Sequence, residues 1–347
     1  MMIQDFFRED LSDFESYSAG KTDYKVRLNA NESFNNLGFE TRKEIGKVIE
    51  NSIYNRYPDP EAREVCALYA KYANVLSINV MAGNGSDECI QIIAHTFLNT
   101  GDKVAMQSPD FSMYGLYTKV AGGIPIEFPL GPELELDVEG FINMANSEKV
   151  KIVFLSNPNN PTGNIIQRED IIKIIEECKC IVVIDEAYFE FYGESILDKI
   201  DFYENLIVLR TCSKIGLAAI RLGFMITNNV LMSELKKVKP PYNVNSITQD
   251  IISVILKKPE IIYDNVKNIL EQRDYLWGKL SNINGIKLHK AKANFILVEV
   301  PKALETKVKL LKQSINVRSF TSGKLVNCLR ITIGSREEND CLLKNII

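Results

Sequence analysis

The chain has 347 residues, of which 46% are hydrophobic and 25% are charged, and its formal net charge is −4 at pH 7. This length exceeds one small domain and predicts two lobes, while the composition is typical of an ordinary globular protein. The weakly acidic charge argues against a nucleic-acid partner, and no apolar run approaches the roughly 18 residues that a membrane span requires. The N-terminal residues lack a signal-peptide pattern, so we expect a cytoplasmic protein.

The first segment that suggests a ligand site is residues 83–88, where two glycines precede a helical pattern. The exposed N–H groups and the dipole of a helix N-terminus favour a phosphate, so Gly85, Ser86 and Asp87 are candidate phosphate-binding residues. The segment nearly matches the dinucleotide fingerprint, but Glu88 stands where the third glycine should be. A helix start capped by Ser86 or Asp87 explains the same residues without a ligand.

Four apolar runs in the middle of the chain have the length and composition of buried strands. They lie at residues 103–106, 151–155, 180–184 and 206–209. Between the second and third runs, residues 168–178 carry apolar side chains at helical spacing. This alternation predicts a mostly parallel α/β sheet with helices on both faces.

Three of these predicted strands end in polar or reactive residues. Residues 156–163, which are rich in Asn and Pro, follow one strand, and Asp185 ends the next, with Tyr188 three residues later. Lys214 follows the last strand, directly after Ser213. Ligands of parallel α/β sheets bind at the carboxyl ends of the strands, so we expect these side chains to share one site.

Lys214 is a candidate Schiff-base lysine, because burial favours the neutral, nucleophilic amine. The alternative interpretation is a surface lysine in a loop. Asp185 ends an apolar strand, so its charge needs a partner or a cofactor. Residues 156–163 could equally form a simple turn.

The composition changes after about Thr227, where amphipathic helical patterns at 233–239 and 259–280 precede strand candidates at 295–300 and 329–333. These elements predict a smaller α+β lobe. We therefore predict a large domain at 30–235 and a small domain made of 1–29 and 236–347.

The seven cysteines are scattered and odd in number, which favours reduced, buried thiols over a disulfide framework. Cys178 and Cys180 lie close in sequence, but no second cysteine pair completes a zinc site, and the chain has only two histidines. We expect no metal centre.

A phosphate loop, an aspartate and a lysine at strand ends, an asparagine and a tyrosine together match the needs of pyridoxal 5′-phosphate (PLP). On these residues the chain resembles the fold-type I PLP aminotransferases and is most similar to the histidinol-phosphate aminotransferase family. The matching segments are 28–32, 56–58, 156–163, 185–188, 213–214 and 328–332. The resemblance implies an α/β fold, with a large, mostly parallel-sheet domain and a smaller α+β domain.

The resemblance also implies roles around the PLP ring. Lys214 would form the Schiff base and then move a proton between substrate and cofactor, and Asp185 would pair with the ring nitrogen. Asn160 and Tyr188 would hydrogen-bond the phenolic oxygen, and Phe111 would stack on the ring face. Phe111 replaces the tyrosine that is usual in this branch, so a hydroxyl is lost there.

The resemblance further implies how the phosphate of PLP is held. The residues implied are Gly85, Ser86, Asp87, Ser213 and Arg221, with Tyr57 reaching the phosphate from the neighbouring subunit of a homodimer. The segment from Lys214 to Arg221 is one residue shorter than the usual spacing of the family, which affects how Arg221 can reach the phosphate.

For the substrate, the resemblance implies an anion site in the small lobe. Arg330 and Arg318 match its two arginines, which would clamp the phosphate of one substrate and the carboxylates of the other. Tyr17 and Asn160 would also contact the substrate.

The activity implied is the exchange of an amino group between L-histidinol phosphate and 2-oxoglutarate, giving imidazole acetol phosphate and glutamate, a step of histidine biosynthesis. An aromatic amino-acid aminotransferase and a PLP-dependent phospho-amino-acid decarboxylase are alternatives in the same superfamily. A nicotinamide-dependent oxidoreductase would use residues 83–88 but would leave Asp185, Asn160 and Lys214 unexplained. A PLP-fold regulator would need an added DNA-binding domain, for which neither length nor charge leaves room.

Overall fold

The structure is a computed structural model that describes residues 2–8 and 23–346. Its strands are β1 (Val26–Leu28), β2 (Val80–Gly83), β3 (Lys103–Ser108), β4 (Ile124–Pro129), β5 (Ile152–Ser156), β6 (Ile181–Asp185), β7 (Leu206–Thr211), β8 (Gly223–Thr227), β9 (Lys287–Leu288), β10 (Phe295–Glu299), β11 (Ile315–Ser319) and β12 (Cys328–Thr332). Its α-helices are α1 (Phe39–Glu50), α2 (Arg63–Ala73), α3 (Ser86–Phe97), α4 (Met113–Val120), α5 (Val138–Ser147), α6 (Arg168–Glu177), α7 (Phe189–Tyr192), α8 (Asn229–Val238), α9 (Ser246–Leu256), α10 (Glu260–Leu280), α11 (Ala303–Lys312) and α12 (Arg336–Leu343).

The larger sheet runs in the order β2-β8-β7-β6-β5-β3-β4 over the described residues. The pairs from β4 to β7 are parallel, and β8 is antiparallel to both of its neighbours. Alternate residues of β5 enter different core clusters, Val153 and Leu155 on one side and Ile152 and Phe154 on the other. Both faces are therefore covered, which is why the strand is apolar throughout and why the prediction of a mostly parallel, doubly covered sheet is confirmed.

Several elements had no prediction from the sequence. β4 is an edge strand that carries Pro125 and Pro129, two residues that weaken any strand signal. β8 follows Arg221, whose backbone is left-handed with φ of 51°, so the strand starts inside a segment that looked like a loop. Helix α9 was also not predicted; it packs against α1 and α2.

The smaller sheet has the order β1-β11-β12-β10-β9 within the described chain. β1 pairs in parallel with β11, so the residues just before position 30 join a sheet otherwise built from the C-terminal part. One hydrophobic cluster contains Leu28 and Ile331 from this sheet as well as Leu155 from the larger one. The division into domains at residues 30 and 235 stays a prediction.

The strand register places the polar residues at the carboxyl ends of β5 and β6 at the same edge of the larger sheet. Ser156 is the direct partner of Asp185, and Asp185 is the partner of Leu209, so β5, β6 and β7 end side by side. Helix α3 begins three residues after β2 ends, at the same edge. None of the described helices combines the length and apolar character needed to cross a membrane.

Candidate active site

The predicted site residues meet in a cavity of about 220 Å³ at the carboxyl ends of β5, β6 and β7. The predicted residues that line it are Ser86, Asp87, Phe111, Asn160, Asp185, Tyr188, Ser213, Lys214 and Arg221. Four of the other lining residues lie in segments that carry the family resemblance but had no role assigned to them, namely Ala30, Glu32, Ser156 and Ala187. The remaining three, Tyr114, Thr211 and Ala218, had no prediction.

Lys214 enters this cavity from a kinked turn at residues 213–217, shortly after β7 ends. Ile215 and Gly216 depart from helical backbone angles there, and Gly216 has a φ of 96° that a side chain would strain. The Lys214 amine donates to the carbonyl of Ala30 at 3.4 Å and lies 6.0 Å from the centre of the Tyr188 ring. Burial, reinforced by the charge of Arg330, lowers the pKa of Lys214 to about 8, so neutral amine is present near neutral pH.

Asp185 is 3% exposed and receives two hydrogen bonds. Its Oδ1 accepts from the backbone N–H of Ala187 at 3.0 Å, and its Oδ2 accepts from the hydroxyl of Tyr114 at 2.7 Å. Burial raises the pKa of Asp185 to about 6, and these hydrogen bonds oppose the rise. The carboxylate is therefore charged at pH 7 and can pair with a cationic ring nitrogen.

Tyr188 is buried, and Asn31, the residue that orients it, had no predicted role. The Nδ2 of Asn31 donates to the Tyr188 hydroxyl at 2.9 Å, which leaves the phenolic proton to be donated elsewhere. Burial raises the pKa of Tyr188 to about 12, so the hydroxyl stays protonated. Asn31 lies in the matching segment 28–32, and this membership was the signal that could have identified it.

Asn160 and Arg330 contact each other directly. The Nη1 of Arg330 donates to the Oδ1 of Asn160 at 2.5 Å, and its Nη2 donates to the carbonyl of Asn29 at 2.6 Å. With Oδ1 occupied, the amide nitrogen of Asn160 is the end of the side chain that can donate into the cavity. Arg318 is the direct cross-strand partner of Arg330 between β11 and β12, and it is exposed.

The start of α3 forms the other end of the cavity. Gly85, with a φ of 81°, is the residue before the helix, so the expectation of Ser86 or Asp87 as the N-cap is wrong. The Arg221 guanidinium contacts Asp87 of this helix at 3.3 Å. It also donates to the hydroxyl of Ser213, which follows β7, at 3.4 Å. The shortened spacing after Lys214 therefore still places the Arg221 side chain at the cavity wall.

Glu88 explains why residues 83–88 depart from the dinucleotide fingerprint. Its carboxylate accepts from the backbone N–H of Asn84 at 2.5 Å and from the side chain of Asn243 at 2.6 Å. A glycine at this position could make neither bond. Glu88 therefore stabilises the loop and connects it to Asn243.

Phe111 and Asp110 precede helix α4 on the side of the cavity that faces β5. Phe111 lines the cavity and meets the Tyr114 ring edge-on, with centroids 5.5 Å apart. Asp110 was not predicted; it accepts from the Phe111 N–H at 2.8 Å and from the Ser156 hydroxyl. Burial raises the pKa of Asp110 to about 7.

The structure does not bring all predicted residues to the cavity. Tyr57 is 81% exposed and stacks on Tyr242 at 4.5 Å, away from the cavity of its own chain. Gly85, Arg318 and Arg330 do not line the cavity, although Arg330 contacts the lining residue Asn160. Tyr17 lies outside the described residues.

The side chains present fit PLP. A partly neutral lysine, a buried carboxylate, two donors for a phenolic oxygen and an aromatic face surround one cavity. The N-terminus of α3, the Ser213 hydroxyl and Arg221 meet at one end of it, which is a donor set suited to a phosphate.

Comparisons with known proteins bear on the family and the fold of the chain. Residues 24–346 match the family model for aminotransferase class I and II. A histidinol-phosphate aminotransferase of Clostridium novyi (strain NT) is 50% identical over 339 residues, covering 97% of this chain and 95% of that protein.

Two solved structures resemble the chain. The crystal structure of the histidinol-phosphate aminotransferase from Clostridium acetobutylicum has a TM-score of 0.84 and 25% identity, covering 92% of this chain and 98% of that chain. The crystal structure of the histidinol-phosphate aminotransferase from Sinorhizobium meliloti in complex with pyridoxal-5′-phosphate has a TM-score of 0.86 at 21% identity, covering 93% and 90%. At that identity the second likeness concerns the fold alone, and the expected fold class is confirmed.

Proposed function

Since the chain belongs to the histidinol-phosphate aminotransferase family of class I and II aminotransferases, we propose that it transfers an amino group between L-histidinol phosphate and 2-oxoglutarate. The predicted family, enzyme class and cofactor are confirmed by the same matches. The observation that carries the assignment to this cavity is that Lys214 and Asp185 line it together.

Lys214 would carry PLP and move the proton in this scheme. When bound, PLP supplies an electron sink for the carbanion at the amino-bearing carbon of the substrate. The Lys214 amine, with a pKa of about 8, is close enough to neutrality to act as a nucleophile and then to take up and return the proton of that carbon.

Four side chains would contact the ring. The Asp185 carboxylate would pair with the ring nitrogen and keep its proton in place, because the opposite charge favours the protonated form. The amide nitrogen of Asn160 and the hydroxyl of Tyr188 would donate to the phenolic oxygen, which their contacts with Arg330 and Asn31 leave them able to do. Phe111 would cover the ring face.

The phosphate of PLP would lie at the start of α3. The backbone N–H groups of Ser86 and Asp87 point from the helix N-terminus, and the Ser213 hydroxyl and the Arg221 guanidinium border the same end of the cavity. Gly85 leaves room for the Arg221 side chain at this end of the cavity, because a Cβ on residue 85 would lie 2.9 Å from the Arg221 guanidinium.

Arg330 and Arg318 would form the substrate anion site. They lie directly opposite each other in the sheet, an arrangement of like charges that is unfavourable unless an anion lies between them. A phosphate monoester and a dicarboxylate are both such anions, so one arginine pair can serve both half-reactions. We propose that Tyr17, outside the described residues, and Asn160 complete this site.

The substrate is tested by side-by-side turnover of histidinol phosphate, phenylalanine and threonine phosphate. We expect histidinol phosphate with 2-oxoglutarate to be the best pair by at least about tenfold in kcat/KM, because phenylalanine brings no phosphate dianion to the two arginines and threonine phosphate brings a carboxylate in addition to its phosphate. Faster turnover of phenylalanine would assign the chain as an aromatic amino-acid aminotransferase instead, and release of carbon dioxide from threonine phosphate would assign it as a decarboxylase.

The role of Lys214 is tested by Lys214→Ala. We expect the variant to lose the absorbance band of covalently bound PLP and at least about a thousandfold of turnover, because both nucleophile and base are removed. Lys279→Ala, on α10, is the control and should leave both unchanged. Full turnover in Lys214→Ala would refute the assignment.

We also propose that the enzyme is a homodimer that acts in the cytoplasm. Ile53, Tyr54 and Tyr57 form an exposed apolar patch, which supports an interface there. The seven cysteines are all free, which suits a reducing compartment. Cell fractionation tests the location, and a periplasmic or secreted enzyme would contradict it.

A further inference from the structure

Tyr114 is the side chain through which helix α4 reaches Asp185. It is fully buried, lines the cavity and donates its hydroxyl proton to Asp185 Oδ2 at 2.7 Å. Its ring stacks on Phe154 of β5, with centroids 4.9 Å apart and planes 7° apart, and meets Phe111 edge-on. The hydroxyl is therefore held by packing on two sides, and its direction is determined before any ligand binds.

The charges around Asp185 leave Tyr114 with a specific task. The titratable groups near the carboxylate are Tyr114 of α4, Asp87 and Cys89 of α3, Lys214 of the turn at 213–217 and Tyr188 after β6. Asp110 lies near Tyr114 and Tyr188. Burial raises the pKa of Asp185, the charge of Asp87 adds to the rise, and the hydrogen bond from Tyr114 is the strongest opposing contribution. Without it, Oδ2 would have no donor among the described residues.

We propose that Tyr114 is a positioning residue of the reaction. This inference rests on the proposed role of Asp185 as the partner of the PLP ring nitrogen. The Tyr114 hydroxyl turns the Asp185 carboxylate toward the ring nitrogen and favours the charged form of that carboxylate. The backbone N–H of Ala187 fixes Oδ1 and the Tyr114 hydroxyl fixes Oδ2, so the carboxylate plane cannot rotate.

The sign of the effect follows from the ionisation of a carboxyl group. Asp185 is charged above its pKa of about 6 and neutral below it. Removing the hydrogen bond raises that pKa, so the carboxylate is lost at a higher pH. A neutral carboxyl group no longer holds the proton on the ring nitrogen by charge, so both PLP affinity and turnover should fall at a higher pH than in the wild type.

The test is Tyr114→Phe, which removes one oxygen atom and keeps the ring packed against Phe154 and Phe111. The dissociation constant of PLP is measured by absorbance titration of the cofactor-free protein between pH 5.5 and 8.5, together with kcat and KM. We expect the acidic midpoint of PLP affinity to rise by about one pH unit, the size of one hydrogen bond to a charged group. We expect kcat to fall about tenfold, with KM for histidinol phosphate changed less than about twofold.

Tyr69→Phe is the matched control. Tyr69 is also buried and stacked, on Phe224, but its hydroxyl has no hydrogen-bond partner among the described residues and does not line the cavity. This variant should leave the midpoint and kcat unchanged.

An unshifted midpoint and an unchanged kcat in Tyr114→Phe, with only a lower melting temperature, would overturn the inference and assign Tyr114 to packing alone. A wild-type protein that fails to bind PLP through Lys214 would instead overturn the proposed function. The two failures are therefore distinguished by the wild-type titration.

Discussion

Single side chains at this site are controlled by burial as much as by their neighbours. Lys214 has a pKa lowered to about 8, whereas Asp185 and Asp110 have pKa values raised to about 6 and about 7, in each case chiefly through burial. All three shifts bring ionisation toward neutral pH, where proton transfer is most efficient. The sequence identified Lys214 and Asp185 through their positions at strand ends. It did not identify Asp110, because nothing local shows that folding would desolvate its carboxyl group.

Arg330 is the proposed substrate residue whose side-chain geometry can be tested separately from its charge. Arg330→Lys keeps the charge but loses the fork that contacts both Asn160 and the carbonyl of Asn29. We expect KM for histidinol phosphate to rise about tenfold or more, with a smaller loss of kcat as Asn160 loses its partner. Arg336→Lys, on α12 away from the cavity, is the control. Equal KM values for the two variants would argue against an anion site at Arg330.

At the scale of elements, the contact between β8 and the start of α3 sets the phosphate end of the cavity. Gly223 begins β8 opposite Gly83, and a Cβ there would lie 2.5 Å from the carbonyl carbon of Gly85. The two backbones can approach only because Gly223 has no side chain. The sequence marked residues 83–88 as a loop before a helix, but it did not reveal that β8 packs beneath it.

Gly223→Ala should therefore act on stability and on the cofactor together. We expect a loss on the order of 3 kcal/mol in the free energy of unfolding and weaker PLP binding, because the Ser86 N–H must move. Gly278→Ala in α10 has nothing within 4 Å of the new Cβ and should stabilise the protein by about 0.5–1 kcal/mol. Denaturant unfolding and PLP titration check both variants. A fully stable Gly223→Ala variant with normal PLP affinity would show that the close approach is unimportant.

At the scale of the whole molecule, Asn31 joins the two sheets at the cavity. Its backbone N–H donates to the Thr332 hydroxyl of β12 at 3.0 Å, while its side chain holds the Tyr188 hydroxyl beyond β6. Asn294 donates to its carbonyl at 2.9 Å. Asn31 thus ties Tyr188, the proposed cofactor contact, to β12, the strand that carries the proposed substrate residue Arg330.

The proposed dimer is tested by complementation between subunits. Lys214→Ala and Tyr57→Ala homodimers should each be impaired, because Tyr57 would serve the neighbouring site. Coexpression of the two should restore about a quarter of wild-type turnover. Random pairing makes about half of the dimers mixed, and each mixed dimer has one intact site out of two. Phe202→Ala, which also removes an exposed aromatic ring, is the control for Tyr57→Ala and should be active alone. Absence of restored turnover, or a monomer in sedimentation, would contradict the proposal.

The amino-acid sequence by itself determined the elements whose signals are local. Buried strands such as β5 to β7 are continuous apolar runs, and the residues that follow them had to meet at one edge because parallel strands share direction. The tertiary structure decided what depends on contacts between distant segments: Tyr114 on Asp185, Asn31 on Tyr188, and Gly223 under the start of α3. The two hydrogen-bonded pairs are 71 and 157 residues apart in the sequence, so no local pattern reports them. Burial and hydrogen bonding, which set the ionisation of the site, exist only once the chain has brought those segments together.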